Sequence, residues 1–106
     1  MKHINPDIIA TIYMYDDDEQ NKQPKRKGLP AQQYGCPVFF DNEDSGFDCR
    51  LLLDQINKSV APGETVSGVP IKFLNFDLVK SKLKVGKPFK LWEMGIFGEG
   101  EITEVL

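Results

Sequence analysis

The chain ends in WEMGIFGEGEITEVL, Trp92 to Leu106, and three glycines, Gly95, Gly98 and Gly100, fall within six of those residues. Glycines this dense serve either a loop that cradles phosphate or a tight connection between strands that pack closely. The order Gly-x-x-Gly-x-Gly is not the Gly-x-Gly-x-x-Gly of a dinucleotide fingerprint, and a strand-like run follows it where that fingerprint needs a helix. No Lys with Ser or Thr comes after the last glycine, which excludes a Walker loop. Glu93, Glu99, Glu101 and Glu104 surround the stretch and would repel a phosphate. GIFGEG therefore reads as the turn that joins two closing strands, Pro88 to Met94 and Gly100 to Leu106. Gly98 and Gly100 sit where a side chain would crowd the neighbouring backbone.

The rest of the chain agrees with an all-β fold. PDIIATIYMY, Pro6 to Tyr15, is rich in β-branched and aromatic residues and alternates. Ile8, Ala10, Ile12 and Met14 share one face of that strand, and Ile9, Thr11, Tyr13 and Tyr15 the other. CPVFF (Cys36 to Phe40) and GFDCRLLLD (Gly46 to Asp54) form a hairpin around the turn residues DNEDSG. Pairing Phe40 with Phe47 would set Val38 opposite Cys49 and Cys36 opposite Leu51. Pro62-Gly63 is a turn, since Pro presets φ and Gly accepts a positive φ next to it. A strand then runs from Thr65 to about Leu74, and Pro70 within it marks an edge strand or a bulge. FDLVKSKLKVGKPF holds one irregular helical turn. Six or seven short strands between Gly, Pro and Asp turns predict a closed antiparallel barrel, a single domain over residues 1–106.

Composition narrows the function. The net charge is −3, from 13 basic and 16 acidic residues, which is not the footprint of a dedicated nucleic-acid binder. No apolar leader core follows Met1, and no apolar run nears the ~20 residues that span a bilayer. The expectation is a cytoplasmic protein without a membrane contact, its thiols reduced. Cys36 and Cys49 then read as small apolar core residues, with a disulfide across the hairpin as the alternative. Two Cys and the lone His3 do not supply the four ligands of a structural zinc. His3 stands near the terminus, and Ser45, Ser59, Ser67 and Ser81 have no recognisable base. DNEDSG lacks the twelve-residue spacing of a calcium loop. No enzyme, metal or cofactor is expected.

The longest polar segment, Asp16 to Gly35, sets an acidic run (Asp16 to Glu19) against a basic one, Lys22, Lys25, Arg26 and Lys27. Pro24, Gly28 and Pro30 break any regular structure there. Connections beyond about 12–15 residues are uncommon in compact domains and often functional. The segment is either a solvated loop of partly paired charges or a binding loop.

Read in order, these turns resemble the third domain of elongation factor Tu and its relatives, a six-stranded antiparallel barrel. ATIYMY followed by DDDEQNKQP is similar to that domain's first strand and the polar loop ending in Pro24. YGCPVFF resembles the second strand, and VAPGETVSGVPIKF the family's Pro-Gly-Asp-x-Val turn and strand, with Glu64 in place of Asp. In the closing hairpin Gly86, Phe89, Glu93, Gly95, Gly98, Gly100 and Ile102 fall in the family's order. The likeness covers about Ile8 to Leu106. Three departures bear on function. The family's loop carries Gly-Gly-Arg-x-x-Pro, where this chain has Gln20, Asn21 and Lys22 before Gln23 and Pro24. The family's Arg-Thr-Val in the closing hairpin becomes Ile96 and Phe97, one residue shorter. The family's Tyr-Arg-Pro-Gln stretch on the tRNA side has no clear copy either, GLPAQQYG keeping no more of it than Pro30 and Gln32. The GTPase and second domains have no counterpart here, so no nucleotide hydrolysis is implied.

The resemblance implies a non-catalytic barrel that binds a macromolecule connected with translation. The expected contacts are Lys22, Lys25, Arg26 and Lys27 with Gln32 and Tyr34, and an exposed apolar turn at Ile96 and Phe97. A protein partner is favoured, because the family's arginines are absent. The alternatives are a tRNA- or RNA-binding barrel, a small-molecule accessory domain, and a neutralising partner of a toxin that acts on translation.

Overall fold

A computed structural model of the chain describes residues 4–16, 28–40 and 43–106. The strands are β1 (Ile8–Met14), β2 (Gln33–Phe40), β3 (Phe47–Leu52), β4 (Thr65–Phe73), β5 (Pro88–Trp92) and β6 (Ile96–Val105). They close into one barrel in the order β1-β4-β3-β2-β5-β6, with every pairing antiparallel. A 3₁₀ turn, Leu53–Gln55, follows β3, and between β4 and β5 lie a four-residue helix α1 (Phe76–Val79) and a 3₁₀ turn, Lys80–Lys82.

Alternation decides which side chains fill the barrel. In β1 Ile8, Ala10, Ile12 and Met14 are buried, and in β5 Phe89 and Leu91 are buried while Lys90 and Trp92 face out. One end of the interior is aromatic: Phe40 stands 5.9 Å from Phe47 and 6.4 Å from Phe73 and Phe89, between ring centroids. No polar or charged side chain is buried among the described residues, so apolar burial carries the stability.

The turn at Pro62-Gly63 has the expected chemistry. Gly63 takes φ +83°, and the Glu64 N–H donates to the Ala61 carbonyl at 3.0 Å. The Glu64 carboxylate in turn accepts from the Ala61 N–H at 2.8 Å. The polar segment before β2 is anchored at its far end, where Leu29 and Val60 exchange backbone hydrogen bonds of 2.7 and 2.9 Å and both are buried.

Three expectations need correction. β2 and β3 pair two residues out of the expected register: Val38 lies opposite Phe47, and Cys36 directly opposite Cys49. Phe40 is drawn from β3 because it pairs with Phe89 of β5 and its carbonyl accepts a turn hydrogen bond from Glu43. Pro70 does not mark an edge, since β4 runs between β1 and β3. The Ile71 carbonyl accepts from Asp7 on the β1 side. Backbone groups alternate along a strand, so Pro70 faces the β3 side, where the ladder has ended at Leu51 and Ile71. The bulge lies next to it, at Ser67 and Gly68, where pairing with β1 slips and Gly68 takes φ +71°. Finally, β6 begins at Ile96, so Gly98 and Gly100 are inside the strand and the turn is Glu93 to Gly95. The crowding argument for these glycines stands. A Cβ on Gly98 would lie 2.7 Å from the Tyr13 carbonyl, and one on Gly100 would lie 2.4 Å from the Phe89 ring.

Two ladders of the barrel are short, β3–β4 over Cys49 to Leu51 and the β2–β5 seam. β2 pairs with β5 over Val38 to Phe40 alone, which leaves Gln33 to Pro37 without a ladder partner on that side among the described residues. Side chains fill the gap. Tyr34 meets Phe97 edge-on at 6.1 Å, and its hydroxyl donates to the Glu93 carboxylate.

Candidate functional site

The outer face of β2, β5 and β6 carries the most distinctive surface. Trp92 and Ile96 are a cross-strand pair at the end of the closing hairpin, each 41% exposed. Between them Met94 projects at 78% exposure from a positive φ of 54°, a conformation that L side chains seldom adopt. The turn is held by a 2.8 Å hydrogen bond from the Glu93 N–H to the Gly95 carbonyl. Beside the pair runs a groove of about 550 Å³. Phe40 and Phe89 form its floor, and Phe39, Pro88, Trp92 and Ile96 its walls.

Its polar neighbours are already engaged. Lys90 sits in the groove and bonds the Glu99 carboxylate at 3.2 Å, while Tyr15 donates to the same oxygen at 2.7 Å. The Tyr15 hydroxyl and then Lys90 hold the Glu99 carboxyl below its ordinary range. Partial burial and then Glu99 push the Tyr15 hydroxyl up, and Lys90 is raised chiefly by its hydrogen bond with Tyr15. Glu43 at the groove's other end binds Lys82 at 2.7 Å. Lys87 stands over the Phe40 ring at 5.5 Å.

The residues expected from sequence fare differently. Lys22, Lys25, Arg26 and Lys27 lie outside the described residues. Gln32 is exposed just before β2, its N–H given to the Pro30 carbonyl, and it does not line the groove. Tyr34 is half-buried in the seam as an internal contact of Glu93 and Phe97. Ile96 is at the surface as expected. Phe97 is not: it is 3% exposed and belongs to the core. The cause is a bulge. Trp92 pairs with Ile96 and Leu91 with Gly98, so Phe97 is the unpaired extra residue and its ring turns inward.

Trp92, Phe39 and Pro88 were missed as surface residues. One signal was legible, because Phe89 and Leu91 point inward and alternation puts Trp92 on the outer face, where a polar residue is the rule.

Five lysines, Lys80, Lys82, Lys84, Lys87 and Lys90, occur between Asp77 and Glu93 with no acid among them. No cluster of His, Cys, Asp or Glu among the described residues could hold a metal ion. No helix among them is long and apolar enough to cross a membrane. No protein-family model matches the chain, and no curated protein matches it.

Proposed function

We propose that this chain is a non-catalytic, cytoplasmic protein-interaction barrel, similar to the third domain of elongation factor Tu and serving translation factors or their partners. The observation that carries it is the exposed Trp92–Ile96 pair beside an apolar groove. Exposed aromatic and aliphatic clusters are the usual anchors of protein contacts, and a tryptophan is a preferred one. The order of the turns along the chain supports the link to the elongation-factor domain.

RNA binding is the second reading, supported by the lysine run from Lys80 to Lys90. It stands second because Glu43 and Glu99 already neutralise two of those lysines. The groove's volume is within the ~300–1,000 Å³ of small-molecule sites. Such sites present free, convergent polar groups, whereas Glu43 and Lys90 are both in ion pairs.

The test is capture from extract of the source cells by wild type, Trp92→Ala and Ile96→Asp, each with and without RNase. The expected result is a single protein retained after RNase and lost with Ile96→Asp. Trp92→Ala should cost about 2 kcal/mol, some thirtyfold in Kd. Capture that disappears with RNase, or that neither substitution weakens, refutes the proposal.

A further inference from the structure

Cys36 and Cys49 face each other across the β2–β3 ladder as direct partners. Both point into the core, 5% and 1% exposed, and both are free thiols. Antiparallel partners lie ~4.5 or ~5.5 Å apart at Cα, depending on the pair type. Either spacing falls in the ~4.4–6.8 Å that a disulfide bridges. The Cys49 thiol already leans across the ladder and donates to the Cys36 carbonyl at 3.3 Å.

Access comes from the seam. Cys36 belongs to the half of β2 that has no ladder partner toward β5 among the described residues. On its own face of the strand its neighbours are Val38, fully buried, and Tyr34, half-buried. Tyr34 is thus the partly exposed neighbour of Cys36 on that face of the strand. Cys49 lies between two paired strands, β2 and β4, and is closed off on both sides. Its thiol is pushed well up by the Cys36 thiol beside it and by burial, so it stays protonated.

We propose that Cys36 and Cys49 are a disulfide-forming site, in which a peroxide oxidises Cys36 past Tyr34 and Cys49 resolves the product. In the first step the Cys36 thiolate attacks one oxygen of hydrogen peroxide. The O–O bond breaks, hydroxide leaves, and Cys36 becomes a sulfenic acid. In the second, the Cys49 sulfur attacks the Cys36 sulfur. The S–O bond breaks, water leaves with the Cys49 proton, and the S–S bond forms. Two thiols have lost two electrons to the peroxide, and a dithiol reductant reverses the change. The new bond closes the β2–β3 hairpin covalently, so the oxidised barrel is the more heat-stable form.

The test treats the full chain with hydrogen peroxide at neutral pH, blocks remaining thiols with iodoacetamide, and reads intact mass and a peptide map. The expected product is a monomer lighter by two hydrogens, with Cys36 joined to Cys49, a raised Tm, and full reversal by dithiothreitol. In Cys49→Ala, dimedone should label Cys36. In Cys36→Ala its labelling of Cys49 should be several-fold slower. Tyr34→Ala, its folding checked by Trp92 emission, should form the bond several-fold faster than wild type. Two free thiols after peroxide, links between chains only, or equal dimedone labelling of both single variants would overturn the proposal. The wild-type mass measurement needs no variant to fold.

Discussion

Replacing Gly100 with Ala should destabilise the barrel, while the same change at Gly35 should not. The added Cβ at position 100 would lie 2.4 and 2.7 Å from two atoms of the Phe89 ring and 2.9 Å from the Thr11 carbonyl. Carbon atoms rest at ~3.5–4.0 Å, so the overlap exceeds about 1 Å. Neither neighbour can give way. Phe89 is 3% exposed and wedged against Phe40, and Thr11 is main chain of the adjoining strand. Overpacking of this kind costs ~1–3 kcal/mol, and a clash with both ring and backbone sits at the upper end. Against it stands a gain of about 0.4–1 kcal/mol from the stiffer unfolded chain. A net loss of about 2 kcal/mol remains, which for a domain of this size lowers Tm by ~8–16 °C. At Gly35 the nearest atom to an added Cβ is 3.9 Å away and φ is not positive, so only the unfolded-state gain applies. Gly35→Ala should raise Tm by a few degrees. Urea titration followed by the single tryptophan gives both midpoints, and an unchanged slope confirms that stability alone moved. Phe89→Leu removes the end of the ring, so the Phe89→Leu/Gly100→Ala double variant should be less destabilised than the two single losses added together, by about 1 kcal/mol. A Gly100→Ala midpoint equal to wild type, or to that of Gly35→Ala, would refute the claim that this glycine exists to let strands close.

Other expectations follow from single contacts. Phe97→Asp should cost at least about 4 kcal/mol and show as lost near-ultraviolet and far-ultraviolet signal, because it buries an unpaired carboxylate in the core. Ile96→Asp, one residue away and exposed, should leave the urea midpoint within about 0.5 kcal/mol of wild type. The Tyr15–Glu99–Lys90 network should give a weak pH signature. The folded pKa of Glu99 lies below its unfolded value, so its contribution is complete above about pH 4.3 and is lost as pH falls through the folded value. Tyr15 is raised, so its part holds below about pH 10 and is lost as pH rises through its folded value. Glu99 and Lys90 are 48% and 49% exposed, so solvent screening keeps the pair at ~0.2–1 kcal/mol. The Tm gap between wild type and Glu99→Gln should therefore close in acid, and a gap that widens there contradicts the assignment. Pro70→Val should change stability by less than about 1 kcal/mol, since the restored N–H faces a stretch where the β3 ladder has ended. A larger loss in urea titration would show that proline serves the ladder itself.

Strand identity was legible wherever one face is apolar. Ile8 to Met14 and Phe89 to Trp92 carry the two-residue period, and the Pro62-Gly63 turn was readable from proline's fixed φ and glycine's freedom. β2 begins at Gln33, three residues before the strand read from Cys36 to Phe40, because β3 pairs with Gln33, Tyr34 and Gly35 although Gly35 lowers strand propensity. The start of β6 was missed because its glycines read as turn, although their smallness serves the strand. The surface was half legible. Ile96 was found and Trp92 was not, and Phe97 was placed outside because a bulge leaves no mark in composition.

By itself, then, the sequence determined the alternation of β1 and β5, the Pro62-Gly63 turn, and, among the described residues, a single short helical turn in place of a long helix. Those properties are local, set by φ, ψ and side-chain alternation within a few residues. Register was decided by the tertiary structure alone. It depends on which neighbour each strand meets around the closed ring, so Phe40 pairs with Phe89 and Cys36 comes to face Cys49. The same ring packing decides that Phe97 is core and Ile96 is surface, because a single extra residue in the last hairpin reverses which way a side chain points.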